Sequence, residues 1–255
     1  MATTTRPACR ALFTFLVVLG VSASDDFAPS PDVDTLDIKN NCSYRVAPVI
    51  APRQGSPPLS FTPVELKGYE YFLGIPMPHG WSGRIWGRTD CSTDGNGRFA
   101  CATGDCGSGR LECDGGGGGG PAPAATVAEF ALGGKGGTDT YNISLADGYN
   151  LPMLVAPYGT SHGGGQQCAP TQCVLDLDSA CPADQQVNAS GRVVACRPSG
   201  NSNGSLKNAC PTANSYAVVD AAASASSFSC AFVNNTYTVT FCPDNSEFDP
   251  KYYRT

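Results

Sequence analysis

Carboxylates are the side chains of this sequence that could carry chemistry. Glu129 stands between apolar residues in a stretch typical of a strand, and Asp147 stands in a turn after the next such stretch. Because adjacent strands bring such positions close together, the two carboxyl groups could flank one sugar. Paired acids can hydrolyse a glycoside, one as proton donor and the other as nucleophile or base. From the residues alone, the simpler interpretation is favoured, that both are solvated acids at strand ends.

Other catalytic groups have weaker support. The two histidines, His79 and His162, lie in loops rich in Gly and Pro, without a second ligand at metal spacing. No Ser-His-Asp arrangement can be argued from them. The six glycines at 115–120 lack the Lys-Ser/Thr and the helix that a phosphate-binding loop needs. The sequence therefore predicts no metal and no cofactor.

The N-terminal residues predict the compartment. Arg6 and Arg10 precede an apolar run at 11–21, and small residues follow it. This is the pattern of a secretory signal peptide, and the run is too short to span a bilayer. We expect cleavage after Ala23 or Ser24, so that residues 1–24 form the signal peptide and the mature protein is exported.

The cysteines agree with export. Of 13 cysteines, 12 follow the predicted signal peptide, an even number typical of six disulfides in an oxidising compartment. Four of them lie close together, and bonds Cys91–Cys101 and Cys106–Cys113 would close two small consecutive rings. Zinc is the alternative, but only Cys101 and Cys106 approach the spacing of a zinc knuckle.

The charge balance restricts the partners. The chain has 16 Lys and Arg against 22 Asp and Glu, a formal net charge of −6. A nucleic-acid partner needs a basic face, and anionic lipid attracts basic surfaces. The composition therefore argues against both and leaves neutral or cationic partners open.

Short strand patterns separated by turn residues dominate the chain after residue 33. They predict an all-β sandwich. A strong hairpin-type turn signal, Asp147-Gly148, follows one of them. Residues 50–63 are rich in proline and predict a loop or an edge strand. The strand candidates are residues 35–39, 44–47, 64–66, 69–73, 126–132, 140–145, 151–155, 228–230 and 237–242.

One motif connects the chain to a known family. The run Gly97-x-Phe-x-Cys-x-Thr-Gly-Asp-Cys106 closes at Cys113, and its lead-in is Gly83-Arg-Ile-Trp-Gly-Arg-Thr-Asp-Cys91. Together they resemble the signature of the thaumatin-like proteins, a plant pathogenesis-related family, and the likeness extends from about Leu36 to Pro243.

The resemblance implies a domain organisation for residues 25–243. A β-sandwich core would comprise about 33–88, 121–173 and 210–243, with two disulfide-rich lobes at 89–120 and 174–209. The second lobe is shorter than is usual in the family and lacks four cysteines, so the outer wall of the cleft beside it is in question. Residues 244–255 would be a C-terminal extension.

The resemblance also implies a disulfide map, which the cysteine count alone cannot give. The pairs are Cys42–Cys242, Cys91–Cys101, Cys106–Cys113, Cys168–Cys230, Cys173–Cys210 and Cys181–Cys196.

Cleft residues follow from the same likeness. Family members line their cleft with an arginine, a glutamate and three aspartates. The corresponding residues here are Arg84 (with Arg88 as the alternative), Glu129, Asn142, Asp147 and Asp220. Asn142 is a departure, because an amide can bond a sugar hydroxyl but cannot serve as a base or nucleophile. Glu129 and Asp147 are the catalytic candidates.

Two further groups of residues concern the cleft. Phe130, Tyr141 and Tyr149 could stack on sugars, although their alternation favours core packing. Five Asn-x-Ser/Thr sequences occur, and those in polar loops are the better glycosylation candidates. We favour Asn188, Asn203 and Asn234 over Asn142, which would face the cleft.

The resemblance implies a secreted, antifungal defence protein, a monomer in the apoplast, that binds fungal cell-wall β-1,3-glucan in an acidic cleft. A removable C-terminal tail would instead direct it to the vacuole. The alternatives are a weak endo-β-1,3-glucanase, a protein that perturbs fungal membranes, and an inhibitor of a foreign glycosidase or protease acting through the altered lobe.

Overall fold

The computed structural model describes Met1 and residues 33–113, 124–134, 136–158, 168–198, 208, 210–213, 227–231 and 234–244. The chain divides into two units, Met1–Pro31 and Asp32–Thr255. Of the first unit only Met1 is described, and all other described residues belong to the second. Asp220, Asn203, the predicted signal peptide after Met1, the glycine run and the extension beyond 244 lie outside the described residues. Within the described ranges, no helix has the length and apolar character needed to cross a membrane.

The described part of the second unit contains two large sheets and one hairpin. The strands are β1 (Asp34–Asn40), β2 (Val46–Pro52), β3 (Tyr71–Met77), β4 (Ser82–Thr93), β5 (Phe99–Thr103), β6 (Val127–Ala131), β7 (Thr138–Ser144), β8 (Met153–Tyr158), β9 (Thr171–Cys173), β10 (Gln186–Ala189), β11 (Arg192–Cys196), β12 (Phe228–Ala231) and β13 (Thr236–Phe241), with a short helix α1 (Leu177–Ala180). The five-stranded sheet has the order β3-β1-β13-β8-β9, and the six-stranded sheet the order β12-β7-β6-β4-β2 with β5 paired to β4. Strands β10 and β11 pair with each other. This is the all-β architecture that the sequence predicts.

The core is formed by alternating apolar residues of both sheets. In β1, Leu36 and Ile38 are buried while Asp37 and Lys39 are partly exposed, as a strand with one core face requires. Ring contacts continue through the core, with the centroids of Phe130 and Tyr141 at 6.1 Å. Phe130, Tyr141 and Tyr149 are all buried, so core packing is confirmed for them and stacking on sugars is not possible in this conformation.

The first and last described strands of the unit pair in the five-stranded sheet. Strand β1 pairs in parallel with β13, with Ile38 opposite Val239. The disulfide Cys42–Cys242 joins the same two segments across a sequence separation of 200 residues. In all, the structure contains six disulfides, and their pairs are those that the resemblance implies.

Two strand predictions were wrong in part. Residues 64–66 form no strand, because Leu66 makes only a single bridge to Val46. The strand predicted from residue 69 begins at Tyr71 instead, since Tyr69 has a φ of +64° and lies in a turn. The proline-rich segment extends strand β2 as far as Pro52, which is possible because β2 is an edge strand and proline removes no needed bond there.

The turn at Asp147-Gly148 does not make a hairpin. Strand β7 before it belongs to the six-stranded sheet, and β8 after it belongs to the five-stranded sheet. Gly148 has a φ of +114°, and a Cβ there would lie 2.2 Å from the carbonyl oxygen of Cys196. The glycine is therefore required by a close approach of the second lobe, which the local turn signal does not reveal.

The second lobe keeps an ordered base despite its missing cysteines. Helix α1 begins after Asp176, whose side chain accepts a hydrogen bond from the backbone N–H of Asp178. Cys181–Cys196 joins this helix to β11. Tyr149 and Cys196 then exchange two backbone hydrogen bonds, of 2.9 and 2.7 Å, which fix the lobe to the core.

Candidate functional site

Three neighbouring strands place three of the predicted residues in one row. Arg84 on β4 lies opposite Glu129 on β6, and Glu129 lies opposite Asn142 on β7. The residues beside them in sequence, Ile85, Ala128 and Ile143, are fully buried. Because side chains alternate across a strand, the three polar residues share the face away from the core.

Asp147 joins this row from the crossing loop after β7. Its carboxylate accepts a hydrogen bond from Nη2 of Arg84. The Nε of the same guanidinium lies 3.6 Å from the Oε1 of Glu129. Arg84 therefore holds the two catalytic candidates on two sides of one planar group.

The charges in the row balance. A second guanidinium, that of Arg53, lies 3.5 Å from the Oε1 of Glu129. Two arginines thus face two carboxylates, and the amide at Asn142 adds no charge. Burial lowers the pKa of Arg84, the Glu129 carboxylate opposes this shift, and Arg53 adds to it. Among the described residues, the row itself therefore carries no net charge.

Two buried polar atoms in the row have no hydrogen-bond partner among the described residues. They are the Nε of Arg84 and the Oδ1 of Asn142, on strands either side of β6. Buried polar atoms of native proteins almost always find a partner, which can be a bound water. This pair therefore indicates a place where a water or a hydroxyl group completes the bonding.

A cleft of about 370 Å³ lies beside the row, between the two lobes. Asp147 lines it together with residues 102–105 of the first lobe and with Val187, Ala195, Arg197 and Pro198 of the second. The shortened lobe thus still supplies a wall. Asp105 also lines the cleft, but its two oxygens accept backbone N–H groups of Cys101 and Gly107, so its role is in the loop.

Buried hydrogen bonds hold the first wall in place. Trp86 donates its Nε1–H to the carbonyl of Gly104 at 2.8 Å. Thr89 and Thr103 join through their hydroxyls at 2.7 Å, and Asn150 donates to Thr103 at 2.9 Å. No sequence pattern indicated that Thr103 and Asn150 support this wall. Thr103 stands in the Gly97–Cys106 motif and Asn150 precedes a predicted strand, but neither position reveals the hydrogen bond between the two.

Arg88 is excluded as the cleft arginine. It is buried, donates to the carbonyl oxygens of Arg110 and Leu111, and lies over the ring of Phe99. It stabilises the first lobe. Of the glycosylation candidates within the described ranges, Asn188 and Asn234 are exposed and Asn142 is partly buried in the row.

Comparison with known sequences identifies the family. The sequence profile of the Thaumatin family matches residues 40–205, more than half of the chain. The chain belongs to the thaumatin family. The resemblance drawn from the Gly97–Cys106 motif is thereby confirmed.

Curated relatives of this thaumatin-family chain come from several plants. A protein of Prunus avium named glucan endo-1,3-beta-glucosidase is 38% identical over 255 residues, covering 90% of this chain and 99% of the relative. Thaumatin-like protein 1 of Prunus persica is 40% identical over 229 residues, covering 80% and 88%. Pathogenesis-related thaumatin-like protein 3.5 of Cryptomeria japonica is 38% identical over 233 residues, covering 81% and 88%.

Proposed function

We propose that this thaumatin-family protein is a secreted, antifungal defence protein that binds fungal cell-wall β-1,3-glucan in the cleft beside Arg84. The observation that carries the proposal is the balanced row of Arg53, Arg84, Glu129, Asn142 and Asp147. A neutral polysaccharide offers hydroxyl groups that both donate and accept hydrogen bonds. A row with donors and acceptors but no net charge suits such a ligand, whereas a strongly charged ligand would leave one sign unpaired.

The size of the cleft supports an oligosaccharide rather than a single sugar. Its volume of about 370 Å³ lies in the range of small-molecule sites, and it is open between two lobes. Arg197 lines the second wall and adds a guanidinium to the cleft that Asp147 also lines. A chain of sugars could therefore contact both walls at once.

A second candidate function is a weak endo-β-1,3-glucanase. The name of the Prunus avium relative and the presence of both Glu129 and Asp147 favour it. Two features count against it. Glu129 contacts two guanidinium groups and does not lie in an apolar pocket, and Asn142 supplies no carboxylate.

Binding and hydrolysis can be measured on the same samples. The purified mature protein is incubated with laminarin, and both bound protein and released reducing ends are quantified. Binding without reducing ends is the expected result. Reducing ends that disappear in Glu129→Gln would instead establish the glucanase, and neither binding nor release would overturn both functions.

A further inference from the structure

Strand β3 presents an unusual set of exposed apolar side chains. The exposed fractions are 71% for Tyr69, 64% for Tyr71, 36% for Phe72 and 54% for Leu73. These four residues, here called the β3 platform, lie in or just before an edge strand of the five-stranded sheet. The cleft residues Arg84, Glu129 and Asn142 belong to the other sheet, so the cleft does not account for the platform.

Tyr69 adopts a backbone conformation that favours glycine. It has a φ of +64° and stands third in the turn Lys67–Glu70, where the N–H of Glu70 donates to the carbonyl of Lys67 at 3.1 Å. A positive φ at this turn position usually calls for Gly or Asn. The residue before it, Gly68, cannot change, because a Cβ there would lie 2.9 Å from the backbone of Ser43. A large aromatic ring is thus kept exposed at a position where it costs conformational free energy.

The turn is held from both sides. Asn40, which is fully buried, donates its Nδ2 to the carbonyl oxygens of Leu66 and Lys67, and its own N–H donates to the carbonyl of Glu70. The Glu70 carboxylate accepts the N–H of Lys67 at 2.8 Å. The strained turn that carries Tyr69 is therefore rigid.

A β-bulge holds the other end of the platform. Leu36 pairs with Ile75 and Ile38 with Phe72, so Asp37 alone stands opposite two residues, Leu73 and Gly74. The Asp37 carboxylate accepts the N–H of Gly74 at 2.7 Å. Bulges of this kind redirect the side chains beside them. Phe72 is fixed in addition by an edge-to-face contact with Phe61, with ring centroids 5.5 Å apart.

We propose that the β3 platform is a second polysaccharide-binding surface, which seats the apolar faces of a neutral glucan chain on the exposed rings of Tyr69 and Tyr71. The backbone that carries these rings is held before binding, so little backbone entropy is lost when a ligand stacks on them. The proposal rests on the glucan-binding function above but uses residues remote from the cleft. It makes the protein a two-site binder of polymeric wall material, with greater retention on particles than the cleft alone would give.

The charges around the platform favour a neutral, hydroxylated ligand. Lys39 and Lys67 are balanced by Asp37 and Glu70 in the same turn and bulge region. These groups offer hydrogen bonds to sugar hydroxyls, whereas insertion into a lipid layer would have to bury them without water. The net charge of −6 also opposes approach to anionic lipid.

The test compares three variants on two glucan probes. Tyr69→Gly removes the ring and relieves the positive φ, so thermal stability should be unchanged or higher. Tyr71→Thr removes a ring and keeps a good strand former. Val174→Thr, an exposed apolar residue outside the platform, is the matched control. Retention on insoluble β-1,3-glucan particles should fall about tenfold in the Tyr69→Gly/Tyr71→Thr double variant, while affinity for soluble laminarihexaose stays unchanged.

Every other outcome either overturns the platform proposal or shows that only one of the two sites, platform or cleft, binds glucan. Unchanged retention on particles overturns the platform. Two further results would overturn it if retention on particles is unaffected by the platform variants. One is binding of the wild type to phosphatidylcholine vesicles that depends on the platform. The other is a dimer in light scattering that Tyr69→Gly abolishes. Retention that depends on the platform without any laminarihexaose binding would overturn the cleft proposal and support the platform. The two proposals therefore fail independently.

Discussion

Arg84 is the side chain on which the two catalytic candidates depend. Its guanidinium contacts both Glu129 and Asp147, which lie on different elements. If Arg84 is removed, two partly buried carboxylates lose the cation that both contact, and the hydrogen bonding and charge balance of the row change.

Arg84→Gln is therefore expected to weaken binding of laminarihexaose about tenfold, because the row loses its central charged donor and the Glu129 and Asp147 carboxylates lose the contact that positions them. Calorimetric titration measures this affinity. Arg45→Gln is the matched control, since Arg45 pairs with Glu65 on an exposed surface and such pairs contribute little. Equal affinities of the two variants would exclude Arg84 from the binding site.

The buried carboxyl group of Asp34 makes the stability of the protein depend on pH. It is fully buried, and its Oδ1 accepts the N–H of Asn235 at 2.7 Å. Burial, and then the nearby carboxyl group of Asp139, raise the pKa of Asp34 from 3.8 to about 8. The native state thus keeps a proton that the unfolded chain releases above about pH 4. The contribution of Asp34 to stability is complete below that pH and is lost as the pH rises through about 8.

Asp34→Asn should remove most of this pH dependence, because an amide can make similar hydrogen bonds without titrating. Melting temperatures of the wild type should fall by several degrees as the pH rises from about 4 to 8, and those of Asp34→Asn should change less. Asp178→Asn, at an exposed helical site, should behave as the wild type does. A variant with the same slope as the wild type would contradict this assignment.

The elements show what the sequence could and could not predict. Strand patterns predict β1, β7 and β13 because polar and apolar residues alternate in their sequences, and β6 because apolar residues flank a single charge. The sequence predicts a turn at Asp147-Gly148 but does not show that the chain crosses between the sheets there. A two-residue signal indicates the local chain direction and not the sheet that the next strand joins. Tyr69 was placed in a strand because it is a good strand former. Its turn is imposed by Gly68 against Ser43, a contact distant in sequence.

The candidate site, too, could be predicted only in part from the sequence. The family resemblance indicates Arg84, Glu129, Asn142 and Asp147, and the row of the first three follows from strand register. The counter-charge of Arg53 was not foreseen, because it comes from the loop after the edge strand β2. Asp220 stays a prediction.

Strand β11 depends on a single disulfide at the base of the second lobe. Cys181–Cys196 closes a loop of 15 residues, and in the chain-entropy account such a bond contributes about 3 kcal/mol. Replacing both cysteines by serine should therefore expose β10 and β11 to local unfolding. Hydrogen exchange should show lost protection at 186–196 and retained protection in β1 and β13.

The matching replacement of Cys106 and Cys113 serves as control for that experiment. It removes a disulfide of the first lobe, so protection should fall there and stay normal in β11. Loss of protection throughout the molecule in the Cys181/Cys196 variant would contradict a lobe that opens locally.

At the scale of the whole molecule, the first and last described strands stabilise each other. Cys42–Cys242 closes the longest loop of the six disulfides, with 200 residues between its cysteines. In the chain-entropy account its contribution is about 5 kcal/mol. Replacing both residues by serine should lower the free energy of unfolding by up to about that amount. Chemical denaturation with the other disulfides oxidised measures it, and a loss below that of the Cys181/Cys196 variant would contradict the loop-length argument.

The position of β13 also sets an order for biosynthesis. It is the last strand of the described chain, yet it lies in the middle of its sheet, between β1 and β8. While the chain is being translated, β1 and β8 have no common partner until β13 emerges, so their unpaired edges stay open through most of synthesis. Folding of this sheet therefore waits for β13, and a chain that stalls before β13 would be retained by folding chaperones.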